Sequence, residues 1–489
     1  MVAVTGDPTA GIGARASRGA LVTGGGQAAR IGLQLVGLVV LARLLGPDQY
    51  GVVAMAMAFL GVGEVLRDFG LSTAAVQAVR LSAAQRSNLF WLNSAVGLLL
   101  TLAAAVSAPA IAAFFDRDEL VAVVVALSGM FVLNGMTTQL RADVNRQMRF
   151  AALTAVDVSA QAAGLVAGVV LAAVTGTYWA LVAQVLAQSA AGLLGFAVVA
   201  RWRPGRPSRE GDVRPLLAFG VTLTATQLLG YVSRNVDAVV VGARFGAEPL
   251  GYYNRAYQTV MAPLNQLNAP STTVALPVLA RLREDRPSFD RFLLHGQSIM
   301  TVALGWVFAV LCGVADVLVP LVLGDQWAPA VPLVQVFCVA AAIQAVSYAT
   351  YWVFLAHGRT GANLRFSIVS RAVVIGCVVA GSAFGVIGVA VGYTLGVLLA
   401  WPLGLAWIAR AAAAPSGAML RTGVVALLGA VAAGGAARAV SPLLPGGWWS
   451  VAGALAAACT ATSLVCLVWP AYRRAVRAVL ALARRRVHA

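Results

Sequence analysis

Fourteen apolar stretches follow one another along this chain, and the short connectors between them alternate in charge. A bilayer core takes about 20 apolar residues per helix. The pattern therefore predicts an all-α polytopic membrane protein with about 14 transmembrane helices. Hydrophobic residues make up 60% of the chain and charged residues 11%. So few charges would not cover the surface of a soluble fold of this length. The expected spans are 20–45, 50–77, 88–114, 119–141, 150–174, 178–201, 213–242, 249–279, 292–323, 329–356, 361–384, 386–410, 420–440 and 448–469. Those longer than 25 residues must tilt or carry amphipathic ends.

Sorting the connectors by charge fixes a topology. One side receives Arg15 and Arg18, Arg80 and Arg86, Arg141 to Arg149, Arg201 to Arg214, Arg281 to Arg291, Arg359 and Arg365, Arg410 and Arg421, and the Arg-rich tail after Arg473. The other receives Asp48, the Asp116 to Glu119 cluster with its Arg117, Arg244 with Glu248, Asp325, Arg438 and bare turns at Gly176 and Gly385. The positive-inside rule then puts both termini in the cytoplasm of a multi-pass cell-membrane protein. That placement requires an even helix count, which fourteen satisfies.

All 35 basic residues are Arg, and with abundant Ala and Gly this reads as coding bias. The net charge of +17 reads as cytoplasmic loops facing anionic headgroups. Nucleic acid is not an expected partner, because no basic stretch is interleaved with aromatics. The five cysteines lie inside apolar stretches and form no CxxC, so they read as small core hydrophobes. With three His, all near loops or the tail, neither a metal site nor a catalytic triad has material to be built from. No cofactor and no enzymatic activity are expected. The N-terminus lacks a short apolar region followed by a cleavage site, so the first helix is expected to stay as an anchor.

The segment "RWRPGRPSREGDVRP" separates the sixth and seventh helices. The expected organisation is a tail at 1–18, an N-lobe at 19–201, a linker at 202–214 and a C-lobe at 215–410. An extra helix pair at 411–470 and a basic tail at 471–489 follow. The two lobes carry a weak internal repeat. "ARLLGPDQYG" holds Gly46, Asp48 and Gly51, and "GARFGAEPLG" holds Gly246, Glu248 and Gly251. Each follows the first helix of its lobe, with 246 − 46 = 200 residues between copies. A glycine pair around an acid makes a tight turn whose acid caps the next helix. Both copies start on the same side, so the repeat is parallel, and such transporters place their path between the halves.

Ionisable residues at membrane depth are costly and usually face an interior cavity. Arg30 lies mid-way along the first expected helix, Arg234 and Asp237 along the seventh, and Arg371 along the eleventh. Arg dominates these deep charges, which suits an anionic substrate, since guanidinium grips phosphate with paired hydrogen bonds. Arg30, Arg234 and Arg371, with Gln34 and Gln227, are therefore the candidate substrate-binding residues. Asp237 and Asp157 are the candidates for ion coupling. Asp237 also reads as a structural partner of Arg234, Arg43 and Arg255 as snorkelling to headgroups, and any single Asn or Gln as interhelical glue.

Two blocks carry a family resemblance. "LARLLGPDQYGVVAMAMAFLGVGEVLRDFGLSTAAVQ" (41–77) and "NVDAVVVGARFGAEPLGYYNRAYQTVMAPLNQLNAPSTTVALPVLARL" (235–282) resemble the signatures of polysaccharide exporters of the Wzx, colanic-acid and teichuronic-acid type. Those exporters belong to the multidrug/oligosaccharidyl-lipid/polysaccharide superfamily. The resemblance spans roughly residues 18–410 and weakens over the last two helices. It implies a two-lobed, V-shaped bundle that turns a polyprenyl-diphosphate-linked oligosaccharide across the membrane by alternating access, for cell-surface polysaccharide assembly. Expected partners are the lipid-linked glycan, membrane lipids, and glycosyltransferases or a polymerase of the same pathway. No phosphate-binding residue transfers from the signatures, so the arginines stand on depth and sign alone. A cation-coupled drug or metabolite antiporter of the same superfamily is the alternative, but it would favour deep carboxylates. A glycan polymerase or ligase would need a large external loop, and no connector on that side is long. A structural scaffold would leave the deep arginines unexplained.

Overall fold

The computed structural model describes the backbone of residues 10–68, 82–208 and 214–487. The first nine residues of the expected tail, residues 69–77 of the first signature block, linker residues 209–213 and the last two residues lie outside the described set. The described chain is helical, with no strand among its residues. We number the helices α1 Ala10–Leu44, α2 Pro47–Asp68, α3 Ala83–Phe115, α4 Glu119–Arg146, α5 Phe150–Thr175, α6 Trp179–Val199, α7 Arg214–Phe245 and α8 Ala247–Arg281. Then come α9 Arg286–Leu323, α10 Val331–Ser347, α11 Ala349–Ala356, α12 Thr360–Gly381, α13 Gly385–Ala412, α14 Ser416–Val440, α15 Gly447–Val468 and α16 Pro470–Val487. Eleven described segments are long and apolar enough to cross a membrane, and one of them, 360–412, contains both α12 and α13. The expected tenth span is α10 and α11, interrupted at Tyr348. The basic tail, expected as a plain tail, folds as α16.

The chain divides into two compact units. One holds residues 1–235 with 246–248; the other holds 236–245 with 249–489. The 202–214 linker, where the repeat divides, is thus not where compactness divides. Tyr231 shows why: its hydroxyl donates to the Met57 carbonyl at 2.8 Å, seating this part of α7 on α2.

In the first unit the helices pair through glycine. A Cβ on Gly135 would sit 2.6 Å from the Asn93 carbonyl, which sets how closely α3 and α4 approach. Gly164 does the same for α5 against the Gln184 carbonyl of α6, at 2.7 Å. Lipid is as apolar as any side chain, so helices in a bilayer associate by such close packing rather than by hydrophobic burial. Where the Pro/Arg segment leaves α6 it lies along the start of α3. Gly205 N–H donates to Ser87 Oγ at 3.1 Å, Trp91 Nε1 donates to the Gly205 carbonyl at 2.8 Å, and Asn88 pairs both ways with the Ser208 backbone.

The second unit repeats the device. A Cβ on Gly313 of α9 would lie 2.5 Å from the Gly434 carbonyl of α14, and one on Gly434 equally close to the Ala309 carbonyl. Ala433 and Ala437 of α14 then meet Ala454 and Ala458 of α15. Gly392 brings α13 against the Cys377 carbonyl of α12. A larger apolar core is built around Leu293, Trp352, Phe354 and Trp401. α16 packs on this unit through Tyr472, which joins Val302 of α9 and Ala426 of α14.

In the repeated turns the acids stand inside the helices rather than at the caps where the turn pattern put them, and glycine precedes each helix. Asp48 and Glu248 fall in the first turns of α2 and α8, where negative charge meets the positive end of the helix dipole. Gly246 has φ of 89°, a left-handed conformation that glycine adopts without cost. Gly51 has another reason to be glycine, since any Cβ there would overlap the carbonyl of Ala247. Arg117 bridges Asp48 at 2.8 Å and Glu119 at 2.7 Å. Burial alone would lower the Arg117 pKa, but the hydrogen bonds to Glu119 and Asp48 leave it above its ordinary value.

Candidate substrate and coupling sites

A carboxylate at membrane depth must find a partner, and in the first unit the partner of Asp157 is Arg141. Arg141 of α4 donates from Nη1 to Oδ1 at 2.9 Å and from Nη2 to Oδ2 at 2.8 Å, a paired grip on both oxygens. Its guanidinium also lies over the Phe196 ring of α6, 5.6 Å from the centroid. Arg30 of α1 approaches the same carboxylate to 3.8 Å, which is beyond hydrogen-bond reach. One turn beyond Asp157, Gln161 donates to the Arg30 carbonyl at 2.9 Å and ties α5 to α1.

The three charges are not equivalent. The Asp157 side chain is 11% exposed and Arg30 44% exposed, while Arg141 spends its fork on the aspartate. Two cations and one anion leave a net positive charge. Among the described residues the Arg30 side chain makes no hydrogen bond, so its donors remain available to an anion. The sequence reading assigned Arg30 and Asp157 to different roles, and the structure brings them side by side. It missed Arg141, counted there with the connector arginines. The signal was Asp157 itself, a deep carboxylate in need of a cation.

A second network in this unit is closed. Arg67 donates to Thr138 Oγ1 at 2.5 Å, to the Asn134 carbonyl at 3.1 Å and to Glu64 at 3.2 Å. Asn134 Nδ2 donates to the other Glu64 oxygen at 3.1 Å. With its charges paired and its bonds made between α2 and α4, this network is structural. At the Arg-rich end, Asp143 is held by Arg86 at 2.8 Å and by Gln147 at 2.6 Å. Arg234 lies exposed on α7 in the same unit as Arg30, and its side chain makes no hydrogen bond or ion pair among the described residues. Gln34 and Gln227 are also exposed.

In the second unit Asp237 is buried, 7% exposed. It accepts from the Tyr253 hydroxyl at 2.7 Å and from the Ala238 N–H at 2.9 Å. Tyr253 stands edge-on to Phe337 at 5.1 Å, and Tyr257 packs against Phe337 and Tyr393. Gln344 closes the nest by donating to Tyr393 Oη at 2.9 Å. Arg255, expected to snorkel, is instead buried, its guanidinium 5.6 Å from the centre of the Trp327 ring. The Tyr252 to Tyr257 part of the second signature is thus a packing key, in which Tyr253 meets Asp237 and Arg255 meets Trp327. Arg371 lies half-buried on α12 of this unit.

A profile of the polysaccharide biosynthesis protein family matches residues 40–332. Lipopolysaccharide biosynthesis protein WzxC of Escherichia coli (strain K12) is 28% identical over 374 residues, 76% of this chain and 75% of its own length. Teichuronic acid biosynthesis protein TuaB of Bacillus subtilis (strain 168) is 29% identical over 62% of this chain and 63% of its own length. Among solved structures, the lipid II flippase MurJ in an inward closed conformation matches with a TM-score of 0.73, at 12% identity, over 93% of this chain and 100% of that one. An inward-facing MATE family multidrug resistance transporter of the MOP superfamily matches with a TM-score of 0.60, at 16% identity, over 80% and 95%. These structures share the polytopic helical fold of this chain. The family profile covers more than half of the chain, and the protein therefore belongs to the polysaccharide biosynthesis protein family.

Proposed function

We propose that the protein is a flippase that carries a polyprenyl-diphosphate-linked oligosaccharide across the cytoplasmic membrane by alternating access, for assembly of a cell-surface polysaccharide. The observation that carries this reading is Arg30, a cation at membrane depth whose donors are uncommitted beside an aspartate already gripped by Arg141. A diphosphate presents the paired oxygens that guanidinium binds best. Arg30, Arg234 and Arg371, with Gln34 and Gln227, are the residues we assign to the lipid diphosphate and the first sugars. The lobes are those of the repeat, 19–201 and 215–410. The Arg-rich connectors face the cytoplasm together with both termini. The protein acts as a transporter, not an enzyme, and its glycan comes from glycosyltransferases of the same pathway.

Coupling to an ion gradient falls to Asp237 in the second unit. A buried carboxylate with a hydroxyl donor responds to protonation by losing or reversing that hydrogen bond, which moves α8 relative to α7. Asp157, with Arg141 on both oxygens, is the weaker candidate. Transport in proteoliposomes tests the whole reading. A short polyprenyl-diphosphate oligosaccharide placed in one leaflet should become accessible from the other only when the protein is present. If such lipids stay put while the intact protein moves organic cations along an ion gradient, the antiporter reading takes its place.

A further inference from the structure

After Asp325 the chain contains no Asp or Glu, while twelve arginines follow. Six of those twelve lie in the last 17 residues, from Arg473 to Arg486. α16 carries them as a helix with two faces. Tyr472 and Ala475 are buried against Val302 and Ala426, with Val476 and Val479 packed beside them. Tyr472 reaches so close to α14 that a Cβ at Gly429 would overlap its ring. Arg473, Arg474 and Arg477 occupy the remaining circumference, and among the described residues none of their side chains forms an ion pair or hydrogen bond.

The position of this helix follows from the span before it. α15 ends with Leu467 and Val468 at 73% and 86% exposure, side chains that only acyl chains would cover in a membrane. Trp469 follows at once, then α16 begins at Pro470. Tryptophan favours the level of the headgroups. α16 therefore starts where hydrocarbon ends. It turns an apolar side to the bundle, leaves Leu480 exposed beside its basic row, and meets its anions outside the protein.

We infer that α16 is a headgroup-binding helix, and that Arg473, Arg474 and Arg477 hold the phosphodiesters of anionic phospholipid in the leaflet at the Arg-rich end of the bundle. The occupant is membrane lipid rather than an acidic protein, because the arginines and Leu480 sit at the edge of a lipid-facing span. A basic residue at such a surface strengthens anionic-lipid binding about fivefold. Three together, partly screened by salt, supply a tenfold or greater preference over zwitterionic lipid.

The full-length protein in nanodiscs of phosphatidylcholine, titrated with phosphatidylglycerol, reads this out as a thermal midpoint. The midpoint should rise with the phosphatidylglycerol fraction, and the rise should shrink by about half in Arg473→Gln/Arg474→Gln/Arg477→Gln. The matching triple Lys variant keeps the charge and should keep the rise, which separates lipid binding from damage to the helix. A Gln variant whose midpoint responds to phosphatidylglycerol as fully as the parent would overturn the inference, as would a parent that does not respond.

Discussion

Replacing Arg141 by Gln should destabilise the protein, and replacing Arg30 by Gln should silence it. Arg141 holds both oxygens of an aspartate whose side chain is 11% exposed, through bonds of 2.8 and 2.9 Å. Breaking a fully buried pair costs about 3–5 kcal/mol, but the Arg141 side chain is 47% exposed and water screens part of that, leaving about 1–2 kcal/mol. Arg30 stands 3.8 Å away and is 44% exposed, so its loss should cost about 0.5 kcal/mol or less. The assay is a double-mutant cycle with Asp157→Asn, read as unfolding free energy in mixed micelles. The Arg141–Asp157 coupling should come out near 1 kcal/mol or above, and the Arg30–Asp157 coupling within error of zero. Glycan export should fall in Arg30→Gln by tenfold or more, the scale of one lost charge-assisted pair. Two equal couplings, or an Arg30→Gln protein that exports normally, would refute the division between a holding and a binding arginine.

Two further substitutions probe other parts of the fold. Gly51→Val would drive a branched side chain into the Ala247 carbonyl and should cost about 2–3 kcal/mol, with a lower thermal midpoint and reduced yield in the membrane. Tyr253→Phe removes the hydroxyl donor from buried Asp237 at a cost of about 1–3 kcal/mol in stability, and export should lose its dependence on the driving gradient. Unaltered gradient dependence in that variant would free Asp237 from the coupling role.

Most of the helical layout was legible because the bilayer imposes a length and a polarity that few sequences satisfy by chance. The acids of the repeated turns were visible at Asp48 and Glu248, but their place inside the first turns of α2 and α8, rather than at the caps, was not. What escaped was pairing across helices. Arg141 lies near a connector in sequence but reaches Asp157 across the α4–α5 turn, and charge sorting by connector cannot see that reach. Arg255 went astray because its burial depends on Trp327, more than seventy positions along. α16 went unread as a helix because its arginines dominate the average, while its apolar side becomes evident only once Tyr472 is seen on α14.

The glycines and alanines counted at the outset as a trace of coding bias have a second meaning in the packing of α9, α14 and α15. Where Gly313, Gly434 and the alanines from Ala433 to Ala458 bring backbones together, nothing is gained by greasiness, because a lipid tail would solvate a larger side chain just as well. Fitness at these positions is thus a ceiling on volume and indifferent to polarity. Serine should be tolerated where leucine is not, an inversion of the rule that governs water-soluble cores. A genome that drifts toward small residues drifts, at these contacts, in the direction the membrane rewards.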